Sequence, residues 1–127
     1  MGEMLNQGQS RPDFDLSQFH AVFFEEAGEN LDAFEAMLLA IDLEAASDDD
    51  LNAVFRVAHS VKGGAATFGF ADVTELTHEL ETLLDRVRRH ELPLTRAMVD
   101  ALLHAGDVLR AQLARHRTRE GVAPEAG

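Results

Sequence analysis

The stretch AHSVKGGAATFGF, residues 58–70, decides how this chain folds. Glycine in a helix interior costs about 1 kcal/mol relative to alanine, so the Gly63-Gly64 pair would ordinarily end a helix. The apolar spacing says otherwise. Leu51, Val54, Ala58, Val61, Ala65 and Phe68 keep three- and four-residue steps on both sides of the glycines, which is one helical face. The spacing therefore predicts a single helix over 48–68, capped by Ser47 and closed by Gly69 in a left-handed conformation. Asp48, Asp49 and Asp50 then meet the positive end of its dipole. Gly64 points away from the face that carries His59, where close approach of a neighbouring helix would explain it.

Three further segments share that periodicity. Residues 15–44 carry Leu16, Phe19, Phe23, Ala27, Leu31, Phe34, Leu38 and Ile41 on one stripe, with Asp15 as cap and Phe14 and Phe19 placed for a hydrophobic staple. Glu25, Glu26, Glu29, Asp32 and Glu35 fall mostly on the other side, as a solvated face. A helix over 72–90 opens with the capping-box pattern DVTE and follows Val73, Leu76, Leu80, Leu83, Leu84 and Val87. Arg86, Arg88 and Arg89 in its last turn complement the negative end of the dipole. After HELP, a helix over 95–116 follows Met98, Leu102, Ala105, Leu109 and Leu113. Four amphipathic helices joined by short loops predict an all-α, antiparallel up-down four-helix bundle over residues 13–117. Residues 1–12 and 118–127, rich in Gly, Pro and polar residues, read as a flexible N-terminus and a flexible tail or start of a linker.

Composition narrows the function. A chain of 127 residues is long enough for one self-supporting core, and the absence of cysteine excludes disulfides, thiolate metal sites and a cysteine nucleophile. The longest apolar runs, such as AMLLAI at 36–41, fall far short of a membrane span, and MGEMLNQGQSRP is not a signal pattern. A cytoplasmic chain without membrane insertion is expected. A formal charge of −12 argues against nucleic acid, whose phosphates are bound by clustered Lys and Arg, and makes a protein the expected partner.

His59 stands out against that background. At about 100° per residue it lies about 120° from the centre of the apolar stripe, at the rim or in solvent. Gly63, one turn on, removes the side chain that would crowd the imidazole, and Ala66 and Asn52 keep the same strip low. Lys62 places an ammonium nearby. An exposed imidazole, an adjacent cation and open space suit a nucleophile that accepts a phosphoryl group. A carboxylate accepting from Nδ1–H would fix the tautomer and present Nε2. The 72–90 helix offers Glu81 and His78 on its polar side, but spacing alone does not choose among Glu75, Glu79 and Glu81.

FRVAHSVKGGAATFGF at 55–70 and THELETLLDRVRR at 77–89, together with FFEEAGENL in the first helix, resemble the histidine phosphotransfer (HPt) domain of CheA-type chemotaxis histidine kinases. The His-x-x-Lys-Gly core is general to HPt domains; KGGAATFGF and TH-x-x-E are the CheA-like form. The similarity covers about residues 14–115. It implies that His59 is phosphorylated on Nε2, that Glu81 accepts from its Nδ1–H, and that His78 and Lys62 complete the polar cluster, with Gly63 leaving room for the partner. CheA-type domains often carry a fifth helix, which Gly121 and Pro124 would interrupt here.

The same resemblance implies a carrier rather than a complete kinase. No GxGxxG or GxxxxGK phosphate loop is present, so this domain is expected to bind no cofactor, and KGG, inside a helix, is not a nucleotide site. ATP and Mg²⁺ would belong to a CheA-type catalytic domain, in cis or in trans, that loads His59. A CheY- or CheB-like response regulator, with its own Mg²⁺, would receive the group on an aspartate. The faces of the first two helices around His59, including Phe55 at the rim, are expected to dock that regulator. Two other readings fit the residues less well. A metal bundle would need paired Glu-x-x-His motifs, and Glu75–His78 is a single one. A non-catalytic acidic interaction module would explain the charge but leave the glycine beside an exposed histidine without a reason.

Overall fold

The structure, a computed structural model, describes residues 12–122, with side chains from residue 18 onward. Four helices follow one another: α1 (Pro12–Ala40), α2 (Asp48–Thr67), α3 (Ala71–Arg88) and α4 (Arg96–Glu120). α1 packs on α2 and α4, and α3 packs on the same two, closing a four-membered ring. Links of seven, three and seven residues force each helix to run back along its predecessor. This is the up-down bundle the sequence predicts. Phe24, Phe34, Val54, Val61, Val73, Leu84, Val99, Leu102 and Leu109 fill its centre. No helix among the described residues is long and apolar enough to cross a membrane.

α2 follows its spacing closely. The Ser47 hydroxyl accepts the Asp50 N–H at 3.0 Å and the Asp50 carboxylate accepts the Ser47 N–H at 3.3 Å, a reciprocal cap. The helix passes through both glycines to Thr67. Gly69, at φ +76°, then closes it: its N–H reaches the Ala66 carbonyl at 3.2 Å while that of Phe70 reaches Ala65 at 2.9 Å. Phe70 drops into the core at the corner.

The two adjacent glycines do different things. A Cβ on Gly63 would meet nothing within 4 Å, whereas one on Gly64 would stand 2.6 Å from the Phe23 ring of α1. Gly64 is thus the close helix–helix approach that the sequence suggests.

Several boundaries differ from expectation. α1 includes Pro12, a residue suited to a first turn, so Asp15 lies within the helix rather than at its cap. The staple partner Phe14 and the stripe residue Leu16 lie outside the described side chains. α1 also stops at Ala40 instead of continuing to 44. Asp42 turns the chain, its carboxylate accepting the Glu44 N–H at 2.9 Å and its carbonyl that of Ala45 at 3.2 Å. Phe19, assigned to the buried stripe, is 60% exposed, and Phe24 is buried in its stead. Four-residue steps advance about 400°, so a series drifts about 40° per step, and Phe19 is three steps from Leu31.

α3 starts at Ala71, and the DVTE pattern forms no capping box. The Asp72 carboxylate accepts instead from the Val73 N–H at 2.8 Å and from His116 Nε2 at 2.7 Å. Burial works against that carboxylate, but the His116 and Val73 hydrogen bonds and the His116 charge outweigh it and lower its pKa. α3 ends at Arg88, before 90, because His90 adopts a left-handed conformation (φ 65°) and sends its N–H back to Val87 at 2.9 Å. α4 opens where expected, with the Thr95 hydroxyl accepting the Met98 N–H at 3.1 Å, but runs to Glu120 rather than 116.

His116 is the reason α4 continues: its ring stacks on Phe70, centroids 4.2 Å apart, and bonds Asp72, pinning this turn to the α2–α3 corner. Gly121 in the left-handed region closes the helix, and Val122 N–H reaches the Arg117 carbonyl at 3.0 Å. Residues 118–120 therefore belong to the bundle and not to a tail. The expectations for residues 1–11 and 123–127 lie outside the described residues.

Substituting the two glycines separately tests this packing. Gly64→Ala should lower stability by about 1–3 kcal/mol, since the Phe23 ring must move in a filled core. Gly63→Ala should raise it by about 1 kcal/mol, the difference in helix propensity. Urea midpoints measured on the two variants should shift in opposite directions.

Candidate functional site

The site is built from the facing sides of α2 and α3. His59 leaves α2 beside the buried stripe of Ala58 and Val61, and its side chain is 64% exposed. Glu81 leaves α3 between Thr77 and Leu84, both buried, and is itself only 8% exposed. It is therefore on the core-facing side of α3, not on the polar side where the sequence reading put it. Glu75, Glu79 and His78 are exposed.

Of the three glutamates left open by spacing, the structure selects Glu81. His59 Nδ1 is hydrogen-bonded to Glu81 Oε2, and Lys62 Nζ donates to Glu81 Oε1 at 2.6 Å. Each carboxylate oxygen thus has a partner from α2, one turn apart on the same helix.

A carboxylate so buried needs such partners to stay charged. Desolvation pushes the Glu81 pKa up, but the hydrogen bonds from Lys62 and His59 and their charges outweigh it, leaving it below the ordinary value. An ionised carboxylate only accepts hydrogen bonds. His59 Nδ1 must therefore carry a proton, which in the neutral imidazole leaves the lone pair on Nε2, at the other side of a mostly exposed ring. The arrangement makes a single nucleophilic nitrogen of fixed tautomer at the surface. Gly63, one turn further, is bare backbone beside it.

His78 is not brought into this network: its ring makes no hydrogen bond to His59, Lys62 or Glu81, and the Thr82 hydroxyl donates to its backbone carbonyl at 3.0 Å. Lys62 is more committed than a free ammonium beside the imidazole, being held by Glu81. Among the described residues, no three His, Asp or Glu side chains converge as a metal site.

Two contacts at the site lie outside the sequence reading. The Phe55 ring lies nearly parallel to the His59 imidazole (9°, centroids 6.2 Å apart), and the Arg88 guanidinium sits 3.8 Å over the Phe55 ring. Arg88, which sequence assigned to the helix dipole, is fixed by Asp85 at 2.8 Å and by Asn52 of α2 at 3.2 Å. The i,i+4 spacing of Phe55 and His59 was the available signal for the first contact; nothing in the sequence marks the second.

Comparison with known proteins bears on this geometry. Residues 18–118 match the family model of the Hpt domain. The chain is 45% identical over 106 residues to chemotaxis protein CheA of Klebsiella aerogenes and 42% identical over 106 residues to that of Salmonella typhimurium. Those matches cover 84% of this chain and 16% of each relative's length. Among solved structures, the phosphorylated P1 domain of CheA3 in complex with CheY6 from R. sphaeroides superposes with a TM-score of 0.74 at 29% identity, over 86% of this chain and 84% of that one. The CheA phosphotransferase domain from Thermotoga maritima gives 0.73 at 28%, over 79% and 95%.

The four-helix bundle and its family match define a histidine phosphotransfer module. This chain belongs to the Hpt domain family, and it is homologous to the phosphotransfer region of CheA proteins.

The lowered Glu81 pKa sets a pH dependence. A carboxylate whose pKa is depressed by folding stabilises the fold above its ordinary value, and that contribution disappears as pH falls through the depressed one. The stability difference between wild type and Glu81→Gln should therefore be full at neutral pH and shrink below about pH 4.5, as read from urea unfolding across pH.

Proposed function

We propose that His59 is the phosphorylated residue of this domain and that Nε2 carries the group. The observation that supports this most directly is the buried, ionised Glu81 holding Nδ1–H of an otherwise exposed imidazole. Nε2 attacks the γ-phosphorus of ATP held in a CheA-type catalytic domain; the Nε2–P bond forms, the bond to the bridging oxygen breaks, and ADP leaves. The ring becomes positively charged as its lone pair is used. Glu81 stabilises that charge through the same hydrogen bond, which strengthens as the nitrogen gains positive character.

Lys62 keeps Glu81 ionised and in place, and its ammonium lies on the helical turn that faces an arriving phosphoryl group. Gly63 leaves that approach unobstructed. His78, exposed on α3, belongs to the rim of the reaction surface.

In the second half of the reaction an aspartate of a CheY- or CheB-like response regulator attacks the phosphorus and His59 leaves as neutral imidazole, the tautomer that Glu81 already favours. This reading draws support from a homologous P1 domain that is phosphorylated and bound to CheY6. ATP and Mg²⁺ serve the catalytic domain, and Mg²⁺ the regulator, where it offsets charge on the group in flight. The domain itself acts as carrier, and the kinase activity resides in other parts of a CheA-type assembly, in the cytoplasm.

Incubation with a CheA-type catalytic domain and γ-labelled ATP tests the assignment. Wild type should take up an acid-labile, alkali-stable label that a CheY-like regulator discharges, and His59→Gln should take up none. Glu81→Ala should slow labelling about 10- to 100-fold, the scale expected when a reacting group loses its orientation, with the helical circular dichroism retained. Label on His59→Gln would place the acceptor at another residue, and a wild type that binds the regulator but is never labelled would favour a docking module instead.

A further inference from the structure

A hydrogen bond at one corner does not by itself fix an imidazole. With Nδ1 anchored on Glu81, the ring can still rock about that anchor and sweep Nε2 through an arc, because most of its surface faces solvent. Something must restrain the plane. The neighbour placed to do so is Phe55, one turn earlier on α2, whose ring is within 9° of parallel to the imidazole at a centroid separation of 6.2 Å, an offset-stacked geometry.

Phe55 is in turn held from outside α2. Arg88 lies over the Phe55 ring at 3.8 Å and is tied at two points, Nε to Asp85 at 2.8 Å and Nη1 to Asn52 at 3.2 Å. Asp85 is on α3 and Asn52 is on α2, so the guanidinium spans the helix pair. The planar fork makes this possible; an ammonium could not occupy both bonds and lie flat on a ring.

We propose that Phe55 and Arg88 are positioning residues for His59, acting together with Glu81: the carboxylate fixes the tautomer and one corner of the ring, and the Arg88-backed Phe55 ring fixes its plane. The proposal rests on His59 being the phosphoryl acceptor. It assigns Phe55 to the chemistry inside the domain, in contrast to a role in docking a partner.

A phosphoryl donor without a docking surface separates the two. With phosphoramidate, Nε2 forms the new bond to phosphorus, the phosphorus–nitrogen bond of the donor breaks, and ammonia leaves. Phe55→Leu and Arg88→Gln should label about 5- to 20-fold more slowly than wild type with phosphoramidate and with the kinase domain alike, a misalignment effect. Phe55→Tyr, which keeps the ring, should stay within about twofold of wild type.

In ¹⁵N-resolved spectra the slow variants should keep the Nδ1–H tautomer while the His59 ring gains mobility, a signature that general loss of stability would not produce. Arg88→Gln, a partly exposed substitution at the end of α3, keeps the test open should Phe55→Leu fold poorly. Phosphoramidate labelling of either variant at the wild-type rate overturns the proposal, including the case where only the kinase reaction slows, which would make Phe55 a docking residue. Label that the kinase domain still places on His59→Gln overturns the acceptor assignment, and this proposal with it; the phosphoramidate rates are read at His59 itself.

Discussion

One carboxylate organises the molecule. Glu81 is almost fully removed from water, and an ion in that position is unfavourable unless its lone pairs are engaged. Both partners come from α2, so satisfying Glu81 fixes how α2 and α3 face each other as well as how His59 is presented. The structural requirement and the chemical one are the same requirement. A bundle that packed well but left this carboxylate unpaired would be destabilised by a buried charge, and one that removed it would leave the imidazole free to choose either tautomer.

The glycine pair follows from that geometry. Lys62 and His59 occupy successive turns on one side of α2, and the position after Lys62 is where a side chain would stand before the imidazole; Gly63 leaves it empty. Gly64, by contrast, is imposed from behind, by the Phe23 ring of α1. Two adjacent residues that cost the helix propensity thus serve opposite faces, one the open surface beside His59 and the other the core.

What the sequence made legible follows from what periodicity can encode. The spacing across Gly63-Gly64, the Ser47 cap and the Gly69 closure are local, and each is present as read. His59 was identifiable because an exposed histidine beside a glycine breaks the logic of a plain amphipathic helix. Glu81 was harder. A residue between Leu80 and Leu84 can be buried or marginal depending on how α3 is rotated against α2, and that rotation is a tertiary fact. His116 shows the same limit: its burial depends on Phe70 and Asp72, 46 and 44 positions away in the chain. The stacking of Arg88 on Phe55 joins residues of two helices and has no local signature. Phe19 was misplaced for a geometric reason, the drift of a four-residue repeat on a 3.6-residue helix.

The corner between α2 and α3 has a consequence of its own. Only Phe68, Gly69 and Phe70 separate the two helices, and the Gly69 and Phe70 N–H groups are bonded back to Ala66 and Ala65. The phase of α3 relative to α2 is therefore set by a residue count: one residue added or lost here would turn every α3 side chain by about 100° and carry Glu81 away from its partners. Variation in length is tolerable at the two seven-residue links, at the opposite end of the bundle, but not at this one. The hairpin is thus one part of fixed phase, and α1 and α4 pack around it.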